Sequence, residues 1–266
     1  MSGIARKLMG IKKSPPFNPA NLIGVSDEGA YYDPTDPANY LLDGSNVATL
    51  YDLSLNSRDI SRVTTGPTIS TVNGIPQLDF AYTASAGLRF QDQSWIQSYQ
   101  KAITVCCIAT PSTQTLAGNT FWAPNITILD IRSSSSNPEV PISIGKGSSK
   151  PWLGWHDASG VVADSDVFNS GSTLTSGVSK VFTFVADGQD AEIYIDGSLD
   201  DSGTGTLATG VRTPDATNSF TLGARTLDSG VVNDPWDGQI GPLFIVNRVL
   251  STTERQDLEG YLLNLL

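Results

Sequence analysis

Short runs of alternating apolar and polar residues dominate the chain from about residue 67 to 250. A period of two places successive side chains on opposite faces of a β-strand. Clusters of glycine, asparagine, aspartate and serine interrupt the runs at close intervals, which is typical of a β-sandwich or jelly roll. We therefore predict strands at 68–72, 76–80, 87–90, 102–109, 127–132, 140–144, 152–156, 161–164, 180–186, 191–196, 220–223 and 240–247.

The clearest hairpin spans residues 180–197. The run VFTFVA is followed by Asp187-Gly188, a strong turn signal, and then by AEIYIDG. Alternation on the second strand places Ala191, Ile193 and Ile195 on one face. The opposite face carries Glu192, Tyr194 and Asp196, and we expect it to be solvated and to end in a second turn at Asp196-Gly197.

A short helix is predicted at the C-terminus. Ser251 and Glu254 have the spacing of a capping box, which satisfies two free amides at a helix start. The apolar residues that follow recur at the spacing of one helix face. They are Leu258, Tyr261, Leu262 and Leu265.

The N-terminal residues 1–26 differ from the rest of the chain. Apolar residues at helical spacing are combined with basic residues, and no acid occurs before Asp27. A proline cluster follows and favours an extended stretch. We predict a docking arm or linker over 1–26, with a disordered tail as the alternative, and a sandwich domain over 27–266, of which 27–66 is irregular. The residues of the predicted docking surface are Ile4, Arg6, Lys7, Leu8, Ile11, Lys12 and Lys13.

Charge and cysteine content narrow the function classes. The formal net charge is −11, and without the four basic residues of the arm 12 basic residues face 27 acidic ones, or −15. Such a body should repel nucleic acid and anionic membranes. No run reaches the roughly 18–20 apolar residues of a membrane span, and no secretory signal is recognisable.

Cys106 and Cys107 are adjacent, so in a strand they point to opposite faces, and we predict two buried thiols without a disulfide.

Two sets of motifs resemble known patterns. One set follows the order that is typical of laminin-G-like and concanavalin A-like domains: EIYIDG at 192–197, FTLGAR at 220–225 and PWDGQIGPLFIVNRVLSTTERQDLEGYL at 235–262. The other set resembles phage structural proteins that carry this domain: MSGIARKL at 1–8, GAYYDPTDP at 29–37, GSNVATLYDLS at 44–54 and NGIPQLDF at 73–80.

The resemblance implies an all-β, concanavalin A-like jelly-roll sandwich of two antiparallel sheets with a short C-terminal helix. It also implies a phage virion protein, made in the host cytoplasm and placed on the virion surface. Two functions follow as hypotheses. The first is a non-enzymatic structural protein, anchored by the arm to other capsid or tail proteins. The second is an adhesin for host-surface glycans, and a homo-oligomer is compatible with both.

Glycoside hydrolysis is a third and weaker hypothesis, because the fold also carries hydrolases. The acids with the best spacing are Glu192 and Asp196, but four residues of strand separate them by about 13 Å. Hydrolase pairs lie roughly 5–5.5 Å or 6.5–9.5 Å apart. The single histidine, His156, lacks a Gly-x-Ser-x-Gly partner motif. We therefore predict that the protein is not an enzyme and needs no cofactor.

Binding sites are predicted from residue type. Exposed tryptophans stack on sugars, and the glycan candidates are Trp122, Trp152 and Trp155. Trp236 belongs to the Trp-x-Gly motif, for which packing beneath a strand is the favoured role. A calcium site is a weaker alternative to turn-forming aspartates. Its candidate ligands are Asp187, Asp190, Asp234 and Asp237.

Overall fold

A computed structural model describes residues 17–62, 65–80, 88–90, 102–112, 128–132, 151–154, 167–169, 171–187, 190–204, 219–223, 225–226, 232–233, 236 and 238–266. Most of the described chain is β-structure. The strands are β1 (Gly29–Tyr32), β2 (Tyr40–Asp43), β3 (Asn46–Leu50), β4 (Ile60–Arg62), β5 (Thr68–Val72), β6 (Ile75–Phe80), β7 (Leu88–Phe90), β8 (Ala102–Pro111), β9 (Leu129–Arg132), β10 (Trp152–Gly154), β11 (Val167–Asn169), β12 (Lys180–Asp187), β13 (Asp190–Ile195), β14 (Ser198–Thr204), β15 (Ser219–Leu222), β16 (Arg225–Thr226), β17 (Val232–Asn233) and β18 (Gly238–Val246).

The described helical structure is limited. Helix α1 (Thr252–Leu263) follows β18, and single 3-10 turns occur at Pro19–Leu22 and Pro37–Asn39. The predicted capping box is confirmed: the Ser251 side chain accepts from the Glu254 amide, and the Glu254 side chain accepts from the Ser251 amide. No helix in the described part of the chain is long and apolar enough to span a membrane.

Fourteen antiparallel strands form one sheet with the order β14-β13-β12-β8-β18-β6-β5-β3-β4-β7-β15-β9, in which β1 adds to β18 and β2 adds to β3. The predicted fold class is confirmed, with a refinement. The two expected layers are joined by hydrogen bonds into a single sheet that folds over its own core. Tyr32 on β1 and Phe220 on β15 lie far apart in the strand order, yet their ring centroids are 6.4 Å apart.

Two apolar clusters hold the sheet. The larger, which we call the main core, contains the inward residues of both layers, including Phe182, Phe184 and Leu243. The smaller lies under α1 and includes Leu258 and Leu262. Strand β8 contributes to both, because Cys107 faces the main core and Cys106 faces the helix. Both thiols are buried and unbridged, which confirms their prediction.

The prediction of an irregular segment over 27–66 is wrong, because β1 to β4 all lie there. The strands are only three to five residues long and alternate with Asx turns, so their pattern resembled that of a loop. The predicted strands at 140–144 and 161–164 lie outside the described residues. The hairpin of β12 and β13 is confirmed, with Asp187 opposite Asp190. Its second turn is confirmed by left-handed φ values of 49° at Asp196 and 77° at Gly197.

Candidate functional site

The structure places few of the predicted site residues. The whole predicted docking surface (residues 4–13), Trp122, Trp155, His156, Asp234 and Asp237 lie outside the described residues. Trp152 begins β10, which pairs with β11. Trp236 is buried, as predicted, and its amide donates to the Gly223 carbonyl at 2.6 Å. The glycan and docking assignments therefore stay predictions.

The outward face of β13 is covered at Tyr194 and half-buried at Glu192 and Asp196, so the expectation of a solvated face is wrong at the centre of the strand. Helix α1 places the Arg255 guanidinium 3.7 Å from the centre of the Tyr194 ring. Arg255 Nη1 also donates to Glu259 Oε2 at 2.6 Å, and both side chains are buried. The Tyr194 hydroxyl donates to Glu192 Oε2 at 2.7 Å. Burial, and then this hydrogen bond, raise the pKa of Tyr194 to about 12.

The second acid of the β12–β13 hairpin is engaged at the turn. Asp196 Oδ2 accepts from Lys180 Nζ at 2.5 Å, and Oδ1 accepts from the Val181 amide at 3.0 Å. Glu192 instead accepts a hydrogen bond from the Tyr194 hydroxyl, so the two carboxylates have different hydrogen-bond partners. Four residues of strand separate Glu192 from Asp196 by about 13 Å, which exceeds the roughly 5–9.5 Å of hydrolase pairs.

Two of the four candidate calcium ligands, Asp187 and Asp190, lie within the described residues, and the calcium site stays a prediction. Asp187 and Asp190 face each other across the hairpin turn, and both are exposed. Within the described ranges, no group of three or more histidine, cysteine, aspartate or glutamate side chains could hold a metal ion. Two carboxylates at an exposed turn are typical of turn-forming aspartates rather than of a calcium loop.

In the N-terminal segment, aspartate side chains accept hydrogen bonds from backbone amides. Asp52 Oδ1 accepts from the amides of Tyr31 and Ser54, both at 2.9 Å. Its Oδ2 accepts from Ser54 Oγ at 2.7 Å and from the Arg58 amide at 2.9 Å. Asp52 therefore fixes the loop that joins β3 to β4 against β1. The sequence signal for this role is the Asp-x-Ser spacing, which is typical of an Asx turn.

The base of the predicted arm is bound to the domain. Phe17 packs on Tyr261 of α1 with ring centroids 5.7 Å apart, and Ile23 is buried in the cluster under α1. Arg248 ties the same segment down by donating to the Leu22 carbonyl, to Asp27 and to both oxygens of Glu254. These hydrogen bonds from Arg248 lower the pKa of Glu254 to about 2. The division of the chain at residue 26 stays a prediction.

A row of polar side chains crosses the outer face of the sheet beside α1. We call it the polar row: Ser70, Gln77, Asp79, Thr110, Ser179 and Gln239. Ser70 lies directly opposite Gln77, and Gln239 lies opposite both Asp79 and Thr110.

Hydrogen bonds link most of this row. Thr110 Oγ1 lies 3.1 Å from Gln77 Oε1 and 2.7 Å from Ser179 Oγ, and Gln239 Nε2 donates to Asp79 Oδ1 at 2.8 Å. Ser70 Oγ and Gln77 Nε2 are buried atoms without a hydrogen-bond partner in the described structure. Gln77 is fully buried, whereas Ser70, Asp79 and Gln239 are half-buried. No pattern in the sequence indicates the row, because its members come from five separate segments.

Comparisons with known proteins agree with the fold. A profile described as the concanavalin A-like lectin/glucanases superfamily matches residues 83–254. Comparison with curated protein sequences returned no match. The chain is similar to the binding domain of botulinum neurotoxin serotype D/C, with 12% identity, a TM-score of 0.61 and coverage of 92% of this chain and 53% of that one.

Two further solved structures are similar. Botulinum neurotoxin type C, which interacts with two ganglioside molecules, has 14% identity, a TM-score of 0.56 and coverage of 82% of this chain and 52% of that one. Trypanosoma rangeli sialidase has 12% identity, a TM-score of 0.55 and coverage of 86% and 32%. The chain thus spans between 32% and 53% of the length of these three structures, and at such identities the similarity shows the fold alone.

Proposed function

Because the chain belongs to the concanavalin A-like lectin/glucanases superfamily, we propose that it is a non-enzymatic, lectin-like display domain on the surface of a phage virion. The observation that carries the proposal is the fixed base of the arm. Phe17 and Ile23 pack against the helix side of the domain, and Arg248 binds the Leu22 carbonyl. If the preceding basic residues were bound to another virion protein, this fixed base would hold the whole sandwich close to that protein.

The superfamily includes both enzymes and binding domains, so the non-enzymatic part of the proposal needs its own support. Glu192 and Asp196 are the acids whose spacing comes nearest to that of a hydrolase pair. Glu192 accepts a hydrogen bond from Tyr194, and Asp196 binds Lys180 and a backbone amide. A nucleophile or general acid has to reach a substrate, and these contacts hold both carboxylates within the hairpin instead.

Charge reversal in the arm tests the proposal of virion attachment. We would replace Arg6, Lys7, Lys12 and Lys13 by glutamate and measure the copies of the full chain per purified particle by quantitative mass spectrometry. The proposal expects the charge-reversed chain to be lost from particles while its thermal unfolding is unchanged. Replacing Lys146 and Lys150 by glutamate is the control, because it reverses charges outside the arm. Normal incorporation of the charge-reversed arm would contradict the docking role, and absence of the wild-type chain from particles would contradict the virion proposal.

The polar row favours a second candidate function, the recognition of a host-surface glycan. Hydroxyl, amide and carboxylate groups that share one sheet face are the groups that orient a sugar. Asp79 and Gln239 are half-buried, so their side chains are the members of the row that solvent reaches, whereas the Ser70 hydroxyl oxygen is buried. The similarity to a ganglioside-interacting toxin is compatible with this candidate, although it concerns the fold.

A glycan array with the full chain tests this candidate. Asp79→Ala and Gln239→Ala should each reduce the signal at least tenfold, and Trp152→Ala tests the tryptophan prediction in the same assay. Thr71→Ala is the matched control, because Thr71 is an exposed residue of β5 next to Ser70. Absence of binding by the wild-type chain would contradict glycan recognition, and this result would leave the attachment proposal intact.

A further inference from the structure

The sheet has edges that are protected to different degrees. Among the described strands, β14 pairs only with β13, β9 pairs only with β15, and β2 pairs only with β3. An unpaired edge presents backbone donors and acceptors to any other strand, and charged residues usually protect it. Strand β14 carries Asp200 and Asp201, and β9 carries Asp130 and Arg132. Strand β14 therefore has the expected protection, and the sequence of β9 contains charged residues as well.

Strand β2 lacks that protection. Its sequence is Tyr-Leu-Leu-Asp, and its one charged residue, Asp43, forms an ion pair with Arg62 of β4. Leu41 lies opposite Thr49 and Leu42 lies opposite Val47, and the register shift between these pairs leaves Ala48 of β3 as an extra residue. Strand β2 itself is regular, so its two adjacent leucines are on opposite faces of the sheet. Both are nevertheless about half exposed, at 52% and 48%. A strand added beyond β2 would cover both leucines at once.

The sequence of β2 is self-complementary in one antiparallel register. A two-fold axis perpendicular to the sheet keeps the core face of both copies on the same side, so opposing residues must share a face. If Leu41 lies on that axis, it faces the partner's Leu41 on the outer side. On the core side, Tyr40 faces the partner's Leu42, and Leu42 faces the partner's Tyr40. Cross-strand aromatic–aliphatic pairs of this kind stabilise antiparallel strands.

We propose that β2 is an interface at which a second copy of this chain pairs in antiparallel fashion, with Leu41 on the two-fold axis. The ion pair to Arg62 neutralises Asp43, which reduces the repulsion between two copies of an acidic protein. The backbone hydrogen bonds of the added strand supply affinity, and the Tyr40–Leu42 pairs fix the register. The interface is independent of the glycan and attachment proposals.

Sedimentation equilibrium of the full chain tests the proposal. At about 100 μM protein, a concentration at which a micromolar dimer is populated, we expect a mass of twice 28.2 kDa. Leu41→Lys places two like charges directly opposite each other and should return the chain to a monomer. The matched control is Leu199→Lys on β14, because Leu199 is also an exposed edge leucine, at 54%. This control should stay dimeric.

A mixing experiment tests the register itself. Leu41→Lys and Leu41→Glu should each be monomeric alone, whereas an equimolar mixture should recover the dimer, because each residue 41 then faces an opposite charge. A wild-type monomer at this concentration, or a Leu41→Lys protein that stays dimeric, would overturn the proposal. A mixture that remains monomeric would overturn the placement of Leu41 on the axis.

Discussion

Replacing Gly223 by alanine tests how the end of β15 packs against the main core. The backbone of Gly223 has a φ of +79°, and a Cβ built there would lie 2.0 Å from Cε1 and 2.4 Å from Cδ1 of Phe80. The Phe80 ring is buried in the main core and has little space to move. The left-handed conformation costs an L-residue about 1–2 kcal/mol, and forcing a methyl group into a packed core costs about 1–3 kcal/mol. We therefore expect Gly223→Ala to lower the free energy of unfolding by about 2–5 kcal/mol.

Gly74→Ala separates the two contributions. Gly74 has a φ of +86°, and a Cβ there would meet nothing within 4 Å, so this variant should lose only the roughly 1–2 kcal/mol of backbone strain. The assay is urea unfolding followed by tryptophan fluorescence, with the midpoint compared at constant slope. Equal losses in the two variants would show that the core accommodates the methyl group, and the argument from Phe80 would then be wrong.

Three further predictions concern α1 and the strands beneath it. Arg255→Ala should lower the free energy of unfolding in urea by about 3–5 kcal/mol, because it leaves the buried Glu259 carboxylate without its cation. Arg62→Ala, at the more exposed pair with Asp43, should lower it by less than about 1 kcal/mol. Similar losses in the two variants would contradict the burial argument. The folded-state pKa of Glu254 is about 2 against its usual 4.5, so its stabilising effect is full above about pH 4.5 and is lost as the pH falls towards 2. The difference in unfolding free energy between the wild-type chain and Glu254→Gln should therefore shrink over that range. A constant difference would contradict the ion-pair explanation. Burial raises the pKa of both thiols, that of Cys107 to about 12, so neither should react with a maleimide at pH 8 until urea unfolds the protein; labelling of the native chain would refute this.

The local patterns in the sequence predicted the β12–β13 hairpin, the two adjacent buried thiols and the capping box. Each of these features depends on neighbouring residues: an alternation with period two, an Asp-Gly turn, or a Ser and a Glu three residues apart. The same local signals failed in residues 27–66. There, aspartates such as Asp52 bind backbone amides between strands. A composition rich in aspartate and proline is typical of loops as well, so it does not reveal the short strands.

Contacts between distant parts of the chain could not be predicted. The cover that Arg255 provides over Tyr194 joins positions 61 residues apart, and the polar row gathers residues from five segments. The docking of Phe17 on Tyr261 has the same character. Such contacts depend on which strands become neighbours, and this order is set by packing over the whole sheet rather than by any single window of sequence.

The position of β18 has a consequence for the order in which the protein can fold. It is the last strand in the chain, yet it lies at the centre of the sheet, between β8 and β6, and it also pairs with β1. During synthesis, the edges of β1, β6 and β8 that pair with β18 therefore stay unpaired until residues 238–246 have left the ribosome. Since contacts of high sequence separation slow folding, insertion of β18 should be the late step that commits the chain, and nascent chains that end before it should depend on chaperones.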